Sequence, residues 1–418
     1  MGSQLHVKCI NMNNMRETPS LAGSVHSNEA SLASCGVRCH IRPRKQMEQW
    51  PGTHSSQNAW ISVTLELNRS VPDMAYLVRP AQIDAERATL IAFLSAHLSP
   101  DATGGRFEWL YCRNPAGMAR VWVVCEVEED KIIGVSAAFP RRIYSCGQEV
   151  RGYVLGDFCI HPDYRSLGPA LALQRNTLED LSKESAGFVF DFPSTPMLAI
   201  YKRLRIEPQE SAIRFAKPLR ADRQIRKRVP TKAAGAALSA AANAALRLRD
   251  AGLSRSGMWA ITEATAPFGE EFTLAARQWA PRMGNCGDRS AEYLNWRFLQ
   301  HPQRRYHFLT ARKDGRLCGY LIYHWAGEDA AIVDLLAEEE QISKALVVET
   351  IALTRSCGVH TLSAPLLGSH SSGKIFEDCG FQPRESSPVV VLGLPWNASQ
   401  AAGQIADHWY LMHGDRES

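Results

Sequence analysis

A chain of 418 residues is longer than one ordinary domain and has room for two domains of about 150 residues each. Hydrophobic residues make up 45% of it, enough for packed cores, and a formal charge of +4 is too small to argue for a nucleic-acid partner. Eleven cysteines without regular spacing argue against a disulfide framework, and no apolar run approaches the roughly 20 residues that cross a bilayer, so a cytoplasmic protein is expected.

Residues 1–73 are rich in Ser, Asn, Gly and His and show no sustained period, which predicts a disordered or loosely structured leader. A start at Met74 is an alternative reading of the same boundary. Cys35, Cys39 and His40, with His6 and Cys9 farther back, match no common zinc spacing, and no metal is expected. From Tyr76 to Lys217 the pattern is α/β. Ile83, Leu90, Ile91 and Leu94 make one helical face, and two strands over 121–127 and 132–139 flank the polar turn Glu128-Glu129-Asp130-Lys131. A third apolar strand over 154–160 is broken by His161-Pro162-Asp163. Leu167, Leu171, Leu178 and Leu181 then recur at roughly helical spacing, and a strand over 188–192 precedes a helix carrying Tyr201.

The junction at residues 157–170 (DFCIHPDYRSLGPA) is the most informative stretch, because an apolar strand runs into a basic, glycine-containing turn that opens a helix. Such a turn presents backbone N–H groups to an anion. Residues 165–170 (RSLGPA) fit the R/Q-x-x-G-x-G/A loop of the GNAT N-acetyltransferases, and the chain resembles that superfamily. Residues 194–206 (STPMLAIYKRLRI) are similar to its N-x-x-A-x-x-x-Y-x-x-x-G-F helix, with Ser194 in place of Asn and Arg205-Ile206 in place of Gly-Phe.

The resemblance implies acetyl-CoA as co-substrate, with its diphosphate held at Arg165, Ser166, Leu167, Gly168 and Ala170. It places the thioester carbonyl against the main chain of Phe158, Cys159 and Ile160. Asp157 is then a candidate for taking the amine proton, directly or through water, and Tyr201 is the matched general acid for the departing thiolate. His161 is a second candidate base, with surface capping as its ordinary role. Cys159 is a candidate acyl carrier, although an apolar strand cysteine is more often a small core residue. Pro169 removes one backbone donor from the loop, at a position in a first helical turn where proline is tolerated.

Residues 218–256 read as a basic linker with an alanine-rich helix, either simply solvated or touching an acidic partner or membrane surface. Residues 257–396 then repeat the first half in outline. Glu108-Trp-Leu-Tyr-Cys-Arg113 is echoed by Glu292-Tyr-Leu-Asn-Trp-Arg297, Asp157 by Asp334, and Tyr201 by Phe376. The expected architecture is two tandem GNAT-like α/β domains, each a mixed, mostly antiparallel sheet flanked by helices: 74–217 catalytic and 257–396 degenerate, followed by a tail over 397–418. The second copy carries Glu338-Glu339-Glu340 where a diphosphate loop would have to be basic, so it is expected to lack cofactor binding.

The tail, with Asp407-His-Trp-Tyr-Leu-Met-His-Gly414-Asp415, resembles tandem acetyltransferases associated with exopolysaccharide synthesis, which implies an amino sugar or sugar nucleotide as acceptor. Two alternatives stay open: a Fem-like aminoacyl-tRNA-dependent transferase, which the Arg165 loop argues against, and a non-catalytic scaffold.

Overall fold

The computed structural model describes residues 76–396 and 408–417, apart from 146, 166, 185, 254–256 and 266, together with 39–41 and 63–65. In the unit formed by residues 1–74, β1 (Cys39–Ile41) and β2 (Val63–Leu65) pair antiparallel. The remainder of the leader and the cysteines and histidines outside β1 lie beyond the described residues.

The unit from Ala75 onward is built on one 14-stranded, mostly antiparallel sheet flanked by helices. Its strands are β3 (Tyr76–Pro80), β4 (Arg120–Glu126), β5 (Lys131–Ser145), β6 (Gln148–Ile160), β7 (Phe188–Asp191), β8 (Glu210–Pro218), β9 (Ala260–Ala264), β10 (Asn285–Gly287), β11 (Tyr306–Lys313), β12 (Arg316–Ala326), β13 (Asp329–Ala337), β14 (Thr361–Leu367), β15 (Gln382–Gly393) and β16 (Trp409–Tyr410). The order runs β3-β4-β5-β6-β7-β15-β8-β14-β13-β12-β11-β9, with β10 and then β16 added along the far end of β5.

Local chemistry sets the hairpins. Asp314 and Gly315 both take positive φ between β11 and β12, the backbone twist that joins antiparallel strands tightly. The predicted strands 121–127 and 132–139 appear as β4 and β5, and β5 continues to Ser145. Its residues from Ile132 to Arg141 are all buried, so both faces of the strand are covered and the apolar run has no alternation to display.

The helices labelled here are α1 (Arg87–His97), α2 (Gly104–Phe107), α3 (Leu167–Leu181), α4 (Thr195–Arg203), α5 (Asp222–Arg226), α6 (Lys232–Asp250), α7 (Glu270–Trp279), α8 (Ala291–Leu294), α9 (Glu340–Ser356) and α10 (Gly373–Asp378). Leu173, Leu178 and Leu181 of α3 pack with Ile200 and Tyr201 of α4 over β6 and β7. Leu346, Val347 and Ile351 of α9 cover β12 and β13 in the same manner. A third core joins side chains of both halves, among them Trp109, Phe139, Trp296 and Trp409.

Two strands cross between the halves. β8 pairs with β14 over residues 212–218 and with the first part of β15, whereas Val390 to Gly393 of β15 pair with β7. The halves also share local devices. α2 and α8 each run into a π-helical turn, Glu108–Cys112 and Asn295–Leu299. The sequence echo sets Glu108 against Glu292, but the turns align Glu108 with Asn295 and Trp109 with Trp296, a shift of three residues. Both third strands carry a bulge, at Asp157 and Phe158 in β6 and at Val333 in β13.

Candidate active site

β6 and β7 lie parallel and pair only through Gly152, Tyr153 and Val154 against Phe188, Val189 and Phe190. Beyond Val154, β6 continues to Ile160 hydrogen-bonded to β5 alone. Past Val154 the two strands no longer pair, and the gap this leaves in the sheet, a slot beside β6, has the main chain of Leu155 to Ile160 along one side. At its far end His161 opens a 3-10 turn, Pro162–Tyr164, and α3 begins at Leu167. Arg165 is exposed, with its Nε 3.4 Å from the carbonyl of Ile160. Gly168 is also exposed, and a Cβ there would meet the Tyr76 hydroxyl at 3.2 Å. The amides of a first helical turn have no helical acceptor, so this end of α3 is a donor-rich, basic site suited to an anion. Ser166 lies outside the described residues. Pro169 and Ala170 are buried in the first turn of α3.

The bulge puts Asp157 at φ 48°, a left-handed conformation that non-glycine residues adopt at a cost. Three donors fix it there. Arg106 of α2 holds both carboxylate oxygens, at 2.7 and 2.8 Å, and the Tyr111 hydroxyl donates at 2.6 Å. All three residues are buried. Burial works against the charge on Arg106, and the carboxylate of Asp157 more than offsets it, raising the guanidinium pKa. Both are pinned as an ion pair.

Tyr201 is fully buried, donates to Asp191 at the end of β7 at 2.6 Å and accepts from Gln174 at 3.3 Å. Burial lifts the Asp191 carboxyl to about 7, with the negative charge of Glu417 adding to the effect and the Tyr201 hydrogen bond opposing it. Burial, and then the Asp191 carboxylate, raise the Tyr201 phenol well above its ordinary value. Phe158 is half-buried, and Cys159 and Ile160 are buried. Burial pushes the Cys159 thiol up to about 12, which keeps it neutral. His161 Nδ1 accepts from the Asp163 amide, and its ring sits edge-on to His97.

The structure thus forms two polar clusters, Asp157 with Arg106 and Tyr111, and Tyr201 with Asp191 and Gln174. A residue that sequence reasoning missed lies at the same slot. Residues 411–417 leave β16, bind the second half through Asp415 on Arg289 at 2.8 and 2.7 Å, and pass their Arg416 carbonyl to Arg297 at 3.0 Å and Arg141 at 3.5 Å. Arg416 then stacks on Phe192 and delivers Glu417 to Gly156, where an added Cβ would fall 2.5 Å from the Glu417 Cγ. Glu417 Oε2 is buried and has no hydrogen-bond partner among the described residues. Burial, together with the negative charge of Asp157, raises the Glu417 carboxyl pKa against the pull of Arg416 and Arg297. The one available signal was Gly414 in the tail, whose missing side chain lets the segment pass the carbonyl of Val333 and the ring of Phe298.

The second half carries a related cluster. Asp334 of β13 accepts from Arg289 and from the Tyr320 hydroxyl, both at 2.9 Å. Phe376 is buried, and α9 begins at Glu340, with Glu338 paired to Arg316. Among the described residues no helix is long and apolar enough to cross a membrane.

Residues 78–207 match the family model described as an acetyltransferase (GNAT) domain. A search of curated proteins finds no match. Among solved structures, the fold is similar to that of a conserved protein of Enterococcus faecalis described as a probable N-acyltransferase, with a TM-score of 0.56 at 13% identity over 76% of this chain and 72% of that one. A GCN5-related N-acetyltransferase from Anabaena variabilis gives a TM-score of 0.56 at 15% identity, with the same coverage. Saccharomyces cerevisiae N-myristoyltransferase with bound myristoyl-CoA gives 0.50 at 11% identity over 78% of this chain and 87% of that chain. At these identities the likeness is one of fold.

Proposed function

From the match of residues 78–207 to the GNAT acetyltransferase domain, we infer that the chain is an acyl-CoA-dependent N-acyltransferase that moves acetyl from acetyl-CoA to a primary amine. The observation that carries this reading is the slot between β6 and β7, closed at one end by the basic start of α3. Arg165, Ser166, Leu167, Gly168 and Ala170 hold the diphosphate, and the main chain of Phe158, Cys159 and Ile160 faces the thioester. The acceptor is an amino sugar or sugar nucleotide, and the enzyme works in the cytoplasm, where acyl-CoA is made. The halves are tandem copies of one fold, the second without a cofactor loop, a reading supported by the paired π-turns and bulges.

Transfer is direct. The amine nitrogen attacks the thioester carbon, the carbon–sulfur bond breaks, and the proton lost by nitrogen is balanced by one gained at sulfur. The neutral thiol of Cys159 argues against an acyl-enzyme. Asp157, with its oxygens engaged by Arg106 and Tyr111, serves as a fixed charge that shapes the bulge. Glu417 has an oxygen without a partner among the described residues and a raised pKa, and it takes the amine proton. Tyr201, backed by Asp191, returns a proton to the thiolate.

Calorimetric titration with acetyl-CoA tests the reading. Micromolar binding by the wild type that disappears in the Arg165→Glu, Gly168→Glu double variant supports it. Absence of binding by the wild type refutes it.

A further inference from the structure

Helix α6 carries its apolar surface on the wrong side for a helix that only packs against its own protein. Gly235, Ser239 and Asn243 form the inward face: Gly235 and Ser239 are buried, and Asn243 accepts from the Ala221 amide at 2.8 Å and donates to Asp222 at 3.1 Å. The C-terminal end is tied down by Asp250, which pairs with Lys217 at 2.7 Å and with Arg355. The opposite face should be charged or polar. Instead Ala234, Leu238, Ala241, Ala245 and Leu248 are all exposed, Leu238 at 51% and Leu248 at 75%. Their alternating spacing of four and three residues aligns them along the helix as one stripe.

At roughly 100° per residue, Arg249 falls beside Leu238 at one edge of the stripe, and Arg247 lies beyond the other edge, past the exposed Ala237, Ala240 and Ala244. Lys227, Arg228 and Lys232, just before and at the start of the helix, are exposed and have no carboxylate partner among the described residues. A helix with an outward apolar strip, edged by long cations whose stems lie along the strip while their charges stay in water, has the layout of a segment lying in a membrane interface.

We propose that α6 is a docking face for an anionic lipid surface, holding the protein reversibly against a bilayer through its Leu238 and Leu248 stripe and the surrounding arginines and lysines. Charge complementarity selects this occupant over a second copy of the chain. A parallel copy would set Arg249 against Arg249, and an antiparallel copy centred between Ala240 and Ala241 would set Arg249 at the level of Lys232. Either arrangement brings like charges together across a small apolar contact. The proposal does not depend on the acyl-transfer reading.

Sedimentation of the full chain with vesicles of phosphatidylglycerol and phosphatidylcholine, and with pure phosphatidylcholine, tests it. The mixed vesicles should capture the wild type, and the neutral ones should not. Capture should fall about tenfold as salt rises from about 50 to about 300 mM, because the attraction is screened. Leu238→Glu with Leu248→Glu should weaken capture about tenfold, and Arg247→Glu with Arg249→Glu should do the same. Both variants alter exposed side chains, and an unchanged circular dichroism melt verifies that they fold. No capture of the wild type, equal capture by neutral vesicles, or undiminished capture of both folded variants would overturn the proposal. So would a wild-type dimer in light scattering that the leucine variant dissolves.

Discussion

The Trp109 indole donates to the main-chain carbonyl of Trp296 at 2.8 Å, and the Trp296 indole returns the bond to the carbonyl of Trp109 at 3.0 Å. The rings stack with centroids 5.0 Å apart. Each residue is the second of its π-helical turn, so equivalent positions of the two halves clasp one another across the shared core. Phenylalanine at either position keeps much of the ring but leaves a buried carbonyl without its donor, at a cost of about 1–3 kcal/mol. A double-mutant cycle of Trp109→Phe and Trp296→Phe by urea unfolding should show a double loss that departs clearly from the sum of the single losses.

Asp157 and Arg106 should behave as a unit. Asp157→Ala strands a buried guanidinium and is expected to cost about 3–5 kcal/mol. Replacing both, with Arg106→Met added to Asp157→Ala, should cost less than the single change, since no uncompensated charge then remains. Denaturant midpoints of the three proteins decide the point, and an additive loss would mean that the pair is not coupled.

The Asp191 carboxyl, held near 7 when folded, makes stability depend on pH with a definite sign. Its pKa is raised by folding, so its contribution is fully favourable below the unfolded value of about 4. That contribution is lost as pH rises toward 7 and changes little above it. Asp191→Asn removes the titration and can still accept from Tyr201. Relative to the variant, the wild type should lose on the order of a few kcal/mol between pH 4 and pH 7, read as diverging melting temperatures in calorimetry. Parallel curves across that window would count against a protonated Asp191.

Glu417 should leave its mark on the rate profile. Its raised pKa places the acidic limb of kcat/KM above the usual glutamate range, and Glu417→Gln should erase that limb while lowering kcat about 100-fold or more. Acetyl-CoA binding should persist in the variant. A variant that keeps the wild-type profile would exclude the residue from proton transfer.

Gly156→Ala offers an independent probe of the same contact. The new methyl would press 2.5 Å from the Glu417 Cγ, 2.9 Å from its Cβ and 3.2 Å from the Phe139 ring, so Glu417 must shift along with its main chain. Activity should fall several-fold, with a stability loss of about 1–3 kcal/mol. Unfolding curves and initial rates together separate displacement of Glu417 from general damage.

What the sequence displayed was local. The α3 helix shows in the spacing of its leucines, and the turn before it shows in Arg165 and Gly168, because helical periods and turn residues act over a few positions. The exchange of β8 and β15 between the halves left no such trace, because strand partners are chosen by packing between segments far apart in the chain. The sequence echo falls three residues out of register with the π-turns because Glu292 matches Glu108 in type, whereas burial and the reciprocal bond couple Trp296 to Trp109. Asp157 stood out as an acidic residue in an apolar strand. Its partner Arg106 did not, since it sits in a short helix 51 residues earlier. Glu417 reads as an ordinary polar residue until Gly156 is seen beneath it.

That contact has a temporal side. Glu417 follows Gly156 by 261 positions, the difference of the two residue numbers, so a ribosome making roughly 5–20 residues per second completes β6 about 13–50 s before it makes the residue that sits on it. During that interval the slot between β6 and β7 lacks its carboxylate. The contact with Gly156 can form only once synthesis has passed Glu417 and residues 408–417 have found their place.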